Sequence, residues 1–447
     1  MNRVLILVTC IISIIISSSL IGSTYSNKVF LTSCAIQVLA IVGVFSREEV
    51  PYSLKKIFYL FCFFFFGIAP VAQYLGQTSA YGARVLKENE FFYTNCIIIV
   101  IMILYEVIYN LTYKFEKANS SKKLRMIERF NIVRSLSIQK TGMVIFLSLI
   151  SFYIVFYFQN FNIFNLLLRG GELVEVNEKP GSSVNLIVNQ ALRPLSMMCL
   201  LYYLNTKKKN YIVVAILTIL SVITIFPLGV PRFYAAALYI PLLLTTVSYL
   251  KMKNVFSITF VFGMLIIFPF LDTFRAFGRN TELKFSIDYK MFQSGHFDSF
   301  QNFAFILSEE IITYGYQLLG VLFFWVPRAV WPGKPVGSGE LIAEIMQFEW
   351  NNVSANFFAE GYVNFGFFGI LAFVFLLARY TAVIDKIYWV TLRQSGPVSG
   401  NFFRILYYIM LGMLFFILRG DLLSSFAFTI GFMISYFVVY KLIGNTR

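Results

Sequence analysis

Charge is scarce in this chain. Asp, Glu, Lys and Arg make up 13% of 447 residues, about half the share usual in soluble domains. So few charges cannot cover a water-facing surface of this size. Histidine occurs once, as His296, which excludes a histidine-built metal centre. The five cysteines, Cys10, Cys34, Cys62, Cys96 and Cys199, all lie in apolar stretches. None pairs with another in a loop, so neither a disulfide framework nor a cysteine metal site is expected. No carboxylate cluster has ligand spacing. There is no phosphate-cradling glycine loop, no nucleophile triad, no internal repeat and no stretch polar enough for a separate soluble domain.

Hydrophobic residues are abundant, at 58%. They fall into runs of about 20, long enough to cross a hydrocarbon layer ~30 Å thick as helices. The expected fold is all-α and polytopic, one integral membrane domain over 1–447. The net charge of +15 would suggest nucleic acid in a soluble protein. Here it is the Lys and Arg that cytoplasmic loops collect, and no nucleic-acid partner is expected.

The charges also order the spans. The loop holding Lys114, Lys117, Lys122, Lys123, Arg125 and Arg129 is the most basic and is taken as cytoplasmic. Working outwards from it gives about twelve spans, at 4–22, 29–45, 57–76, 91–112, 142–158, 184–204, 211–229, 233–250, 255–271, 365–384, 402–418 and 422–440. Both termini are then inside. A large outer region, 272–364, separates spans nine and ten. Pro70 and Pro194 mark expected kinks. The apolar run 311–326 is short for a span, and a crossing there would place Lys386, Arg393, Lys441 and Arg447 outside. The element 300–326 is therefore expected to be re-entrant or surface-lying. Gly339–Trp350 reads as an amphipathic helix with Leu341, Ile345 and Phe348 on its apolar stripe.

Several arginines remain once the cytoplasmic ones are set aside: Arg193, Arg232, Arg275, Arg279, Arg328 and Arg419. Cations are few on the outer side by the positive-inside rule, so this excess asks for an anion. A guanidinium offers a planar, permanently charged fork suited to phosphate oxygens. Each can equally be a structural ion pair or a snorkelling anchor, and Arg279 is read as an anchor. Asn185, Asn189 and Arg193 recur every four residues, a stripe expected to face a polar cavity. Lys334 shares a proline-rich stretch with Arg328. Glu360, at the outer mouth of span ten, is the candidate general base, since burial there raises a carboxyl towards a useful range.

The stretch Trp325-Val-Pro-Arg328-Ala-Val-Trp331-Pro-Gly-Lys334-Pro335, followed by Asn356-Phe-Phe-Ala-Glu360-Gly-Tyr362-Val-Asn364-Phe-Gly366-Phe-Phe-Gly369, resembles the O-antigen polymerase family (Wzy type). The two motifs cover about a tenth of the chain; elsewhere the likeness is in hydropathy and topology. The resemblance implies a GT-C-like glycosyltransferase of the bacterial inner membrane with its site facing the periplasm. It would join undecaprenyl-pyrophosphate-linked oligosaccharide repeat units into O-antigen or another surface polysaccharide. It also implies a metal-independent reaction without cofactors, with membrane lipids and a chain-length regulator protein as further partners. Arg328 and Glu360 lie in the matching motifs and would be catalytic. Arg232, Arg275, Arg419, Arg193, Asn189 and Lys334 would bind substrate by position and chemistry. An O-antigen ligase or a lipid-linked oligosaccharide flippase are the alternative readings. The long outer region and the absence of two similar halves speak against the flippase.

Overall fold

The computed structural model describes residues 26–45, 50–79, 81–116, 135–168, 182–268, 289–395 and 401–444. Among these, every regular element is a helix. The principal ones, in chain order, are α1 (Asn27–Phe45), α2 (Leu54–Gly76), α3 (Glu88–Phe115), α4 (Ile138–Tyr157), α5 (Val184–Leu204), α6 (Tyr211–Thr224), α7 (Arg232–Thr246), α8 (Val255–Ile267), α9 (Ser299–Ser308), α10 (Tyr316–Leu322), α11 (Ser338–Ile345), α12 (Phe357–Ser395), α13 (Asn401–Arg419) and α14 (Leu422–Gly444). Eight are long and apolar enough to cross a membrane: α1 to α5 and α12 to α14. The chain is thus a polytopic helical membrane protein. Three expected spans are present as the shorter helices α6, α7 and α8. The expected first span, 4–22, lies outside the described residues.

Local chemistry explains the irregularities. Proline has no N–H to give to the preceding turn, so the helix there must widen or bend. In α2 a π-helical stretch, Cys62–Ile68, ends just before Pro70. In α5 the stretch Val188–Leu192 ends just before Pro194. The two expected kinks are thus absorbed as π-turns. Ser53 caps α2 by accepting from Lys56 N, and Ser137 caps α4 by accepting from Lys140 N.

The loops sort into two ends, in the same grouping that the charges predict. At one end, the basic end, Asp385 is a fully buried hub. It accepts from Leu54 N at 2.9 Å, Lys55 N at 3.2 Å, Tyr109 Oη at 2.8 Å and Tyr407 Oη at 2.5 Å. One carboxylate thus ties together α2, α3, α12 and α13. Nearby, Lys55 pairs with Glu106 at 3.0 Å, Lys386 donates to Tyr113 O, and Arg404 donates to Asn205. At the other, cap end, Ser26 donates to Glu88, Tyr81 to Gly295 O, and Arg84 pairs with Glu90 and Glu309.

Helix rise places these ends. The 19 residues of α1 and the stretch from Gly366 to Asp385 each rise about 28 Å at ~1.5 Å per residue. That matches a hydrocarbon layer of ~30 Å. Helix α13 differs: from Tyr407, at the Asp385 level, to Arg419 it rises only about 18 Å. Helices α6, α7 and α8 rise only about 20 Å each. Among the described residues, α13 and the start of α7, where Phe233 stacks on Phe416, therefore end about 10 Å short of the cap-end plane.

Helix α12 is two arms. Phe365 (φ −145°, ψ 23°) and Gly366 (φ 60°, ψ −146°) break it. The arms run back on each other: Phe357 and Phe373 have ring centroids 5.0 Å apart, where a straight helix would separate them by about 24 Å. The reversal needs glycine. Gly366 sits at positive φ, and a Cβ on Gly369 would lie 1.8 Å from Gly361 O.

Residues 300–326, expected to be re-entrant or surface-lying, fold as two short helices, α9 and α10, joined by a turn. The amphipathic helix expected at 339–350 is shorter and faces differently. Helix α11 ends at Ile345, and its buried face is Ile342 and Ala343. Ile345 is half-exposed, and Phe348 reaches the core through a turn with Gln347 at φ 54°, so a helical stripe does not continue to it.

If Asp385 is the hub of the basic end, Asp385→Ala leaves four buried donors without an acceptor. The expected loss is about 3 kcal/mol or more, read as a lower melting temperature in detergent. A melting temperature equal to the parent's would show the hub to be dispensable.

Candidate functional site

The recessed side of the cap end is where polar side chains gather. Asp298, fully buried, stands just before α9. Its Oδ1 accepts from Ser354 Oγ at 2.6 Å, and its Oδ2 from Ser354 N at 3.0 Å and Asn302 Nδ2 at 3.2 Å. Asn356 Nδ2 donates to Ser299 O, and Asn302 Nδ2 also donates to Ser354 O. Arg419, at the end of α13, reaches into the same group. Its Nη2 lies 3.4 Å from Asp298 Oδ1, and its Nε donates to His296 O at 3.1 Å. The Arg419 side chain remains 28% exposed. Helix α9 rises about 15 Å from Asp298 to Ser308, and Ser308 touches Arg84 near the cap-end plane. The network is therefore set into the bundle rather than on top of it.

Arg232 joins this level. It opens α7 after Pro231, and its guanidinium lies 4.2 Å from the Phe268 ring centroid. Phe268 in turn meets the His296 ring edge-on at 6.2 Å. Directly after Arg232, Phe233 stacks on Phe416 of α13 at 3.5 Å, which brings the starts and ends of α7 and α13 together. Phe268 thus joins Arg232 to His296, and Arg419 meets the same turn through the His296 carbonyl.

Glu360 is buried and turned inward from the helix mouth. It is 1% exposed. Its Oε2 accepts from Ser338 Oγ at 2.7 Å and its Oε1 from Leu422 N at 2.8 Å. With both oxygens engaged it fastens α11 and α14 to the first arm of α12. Asp421 stands beside it, accepting from Ser424 N at 2.9 Å and Gly339 N at 3.2 Å.

Arg328 and Lys334 are elsewhere. Lys334 Nζ donates to Phe324 O at 2.6 Å and Val326 O at 3.0 Å, while Arg328 Nη1 donates to Lys334 O at 2.7 Å. Lysine at 334 thus straps its own loop. Partial burial, and after it the Arg328 charge, lowers the ammonium's hold on its proton. The loop follows α10, which packs on Leu422, Leu423 and Phe426 of α14. Phe233 and Tyr234, beside Arg232, pack on Phe428 and Phe432 of the same helix. At about 3.6 residues per turn these two sets point to opposite sides of α14. The structure therefore does not bring Arg328 together with Arg232.

Of the stripe on α5, Asn189 Nδ2 donates to Asn185, and Asn189 O accepts from Tyr234 Oη at 2.8 Å. Arg193 is buried, with Nε on Thr224 O at 3.0 Å and Nη2 without a partner among the described residues. It holds the end of α6 to α5 rather than lining an open cavity. Arg275 and Arg279 lie outside the described residues. No group of three or more His, Cys, Asp or Glu able to hold a metal occurs among the described residues. Sequence reasoning missed Asp298, Asn302, Ser354 and Asn356. The available signal was a carboxylate opening an apolar helix with Ser299 and Asn302 on its first turn.

No family model matches the chain, and neither the curated proteins nor the solved structures searched gave a match.

Burial pushes the Asp421 carboxyl above the ordinary aspartate range, and the N–H groups of Ser424 and Gly339 pull it partly back. A carboxyl with a raised folded value binds its proton more tightly folded than unfolded. Its contribution to stability is full below the ordinary value of about 4 and is lost as pH rises through the raised one. The melting temperature in detergent should fall over that window. Asp421→Asn, which keeps a helix-capping oxygen, should flatten the slope; an unaltered slope would place the titration elsewhere.

Proposed function

We propose that the chain is a surface-polysaccharide polymerase: a metal-independent glycosyltransferase that joins undecaprenyl-pyrophosphate-linked repeat units at the periplasmic face of a bacterial inner membrane. The reading takes the protein as GT-C-like, with twelve spans and the cap end outside. The observation that carries it is the level at which Phe268 joins Arg232 to His296, with Arg419 on the His296 carbonyl. A lipid-linked donor keeps its pyrophosphate at the bilayer boundary and its tail in the hydrocarbon. Groups that act on it must meet it there, which short helices beneath a folded cap allow.

The chemistry asks for little else. The bond from the donor's anomeric carbon to the pyrophosphate oxygen breaks. An acceptor hydroxyl forms the new glycosidic bond and gives up its proton. The leaving pyrophosphate gains charge, which positioned guanidinium donors stabilise by ~10²–10³ in rate for one such donor. Arg232 is assigned that contact. Arg419 shares its charge with Asp298 and the 295–298 backbone, so it acts by shaping the site. His296, beside Phe268, is the proton acceptor. Glu360 holds the floor rather than taking the proton, and Arg328 stands across α14 from the donor.

Purified protein given a lipid-linked repeat unit should make a ladder of products, with or without a chelator. Arg232→Ala should cut polymer formation by ~10²-fold or more in a protein that still inserts, and Arg232→Lys should rescue it only in part, since lysine lacks the planar fork. Wild-type ladders from Arg232→Ala would refute the assignment. Transfer of a single unit to a different lipid acceptor would indicate a ligase, and translocation without bond formation a flippase.

Orientation has its own check. Glu344 and Lys208 are exposed at opposite ends. In whole cells an impermeant thiol reagent should modify a cysteine placed at Glu344 and leave one at Lys208 untouched. The reverse pattern would put the recessed level in the cytoplasm and end the proposal.

A further inference from the structure

The segment from Tyr314 to Trp331 carries a cation and an apolar surface that the proposed reaction does not use. Tyr314, Leu322, Trp325 and Val330 are 87%, 53%, 65% and 76% exposed. This is not a frayed loop. Its start is pinned to the break in α12, with Thr313 N donating to Val363 O at 2.6 Å and Leu318 N to Asn364 Oδ1 at 2.8 Å. Its far end is pinned to α14, with Phe324 and Phe426 rings 6.0 Å apart. From Phe324 to Lys334, four carbonyls are satisfied from within. Lys334 takes those of Phe324 and Val326, Arg328 takes that of Lys334, and Tyr316 Oη takes that of Gly333.

Internal satisfaction of irregular backbone is what a low-dielectric surround demands and what water does not. The exposed side chains are of the type that collects where headgroups meet acyl chains, with Trp and Tyr prominent. The surface also continues one that is already committed. The first turns of the long arm of α12 expose Phe367, Phe368 and Leu371 on a span that crosses the bilayer. Ile312 and Gly315 lie against Gly366 and Phe365 at the top of that arm. The depth is therefore set by the cap-end plane.

We propose that Tyr314–Trp331 is a foot resting in the headgroup–acyl boundary of the cap-side leaflet, with the phospholipid bilayer as its partner. Its aromatic and aliphatic side chains enter the upper acyl region. Arg328 is exposed and uses one nitrogen on Lys334 O, which leaves its other donors to turn up to lipid phosphate, as long cationic side chains do at a boundary. The lipid contact would hold α10 and α11 against α14 from outside, and so steady the wall behind the recessed level.

The test uses the full chain in vesicles of phosphatidylethanolamine and phosphatidylglycerol. Tryptophan emission is compared between the parent and Trp325→Phe, and the difference reports Trp325 alone. Lipids brominated near the headgroup should quench that difference at least twofold more than lipids brominated near the chain ends. Aqueous iodide should quench it weakly. Strong iodide quenching with none from brominated lipid would mean that the segment stands in water, and overturns the proposal. Stronger quenching by the deep bromines would mean a hairpin plunged into the layer, and overturns it equally. These readings need no change at Arg328. In a second arm, Arg328→Glu should lower the shallow quenching and Arg328→Lys should keep it. Equal quenching in all three proteins would reject the phosphate contact. Shallow quenching that rises on adding undecaprenyl pyrophosphate to the vesicles in the parent, and not in Arg328→Glu, while phospholipid alone gives equal quenching in both, would assign Arg328 to the donor instead.

Discussion

The reversal at Phe365–Gly366 is the feature on which the cap end depends. It turns what would be one long span into two antiparallel arms and brings Asn356 and Glu360 down beside Leu422. Helix α11, the start of α14 and the Asp298 network can then close on the first arm. Two glycines, Gly361 and Gly369, let the backbones touch where any side chain would collide. The hydrophobic layer does the rest. A first arm folded back into it can carry polar residues only if they are satisfied, and Asn356, Asn364 and Glu360 all have partners inside the protein.

Two carboxylates of opposite ends illustrate one solution. Asp385 and Asp298 are both fully buried, and each takes its hydrogen bonds from several chain segments rather than from one cation. Asp385 is served by two backbone N–H groups and two tyrosines, and Asp298 by Ser354, Asn302 and Arg419. Neutral donors spread over separate elements stabilise a buried charge without a second ion to desolvate. They also make each carboxylate a fastener between elements distant in the chain. The difference is that Asp298 keeps a partly exposed arginine at its edge, so the cap-end network opens towards solvent and the basic-end one does not.

Much of the fold was legible in the sequence. Lys and Arg placement sorted the loops into the two groups that meet at the two ends, because charge at a bilayer boundary is a local property. Pro70 and Pro194 announced their helix irregularities for the same reason. The placement of span ten from residue 365 also coincides with the break. What was not legible depends on distance along the chain. Asp298 and Ser354 meet across 56 positions, and nothing local to either forecasts the other. Glu360 was singled out as a carboxylate at a helix mouth, but its direction is decided by the reversal, and the helical arm before the break was read as loop. The stripe on α11 failed because a left-handed Gln347 ends the period before Phe348.

The division made by α14 bears on how the two motif halves act. Conservative physics would place every cation of a pyrophosphate site on one side of one wall, since a guanidinium acts on phosphate only at hydrogen-bond distance. Here Glu360 binds the start of α14, Arg232 lies on the Phe428–Phe432 side of it, and Arg328 lies beyond its Leu422–Phe426 side. On the proposed reading the first motif half serves as an outer buttress, the second as the joint at the start of α14, and the reacting groups come from α7 and the 295–298 turn. Helix α14 links the two: its start is bonded to Glu360, and its Phe428 packs on Phe233 beside Arg232. Residues that are prominent in sequence by their company of proline, tryptophan and glycine are prominent for the geometry they impose, and the groups nearest the proposed chemistry share that company only in part: Arg232 follows Pro231 and His296 follows Gly295.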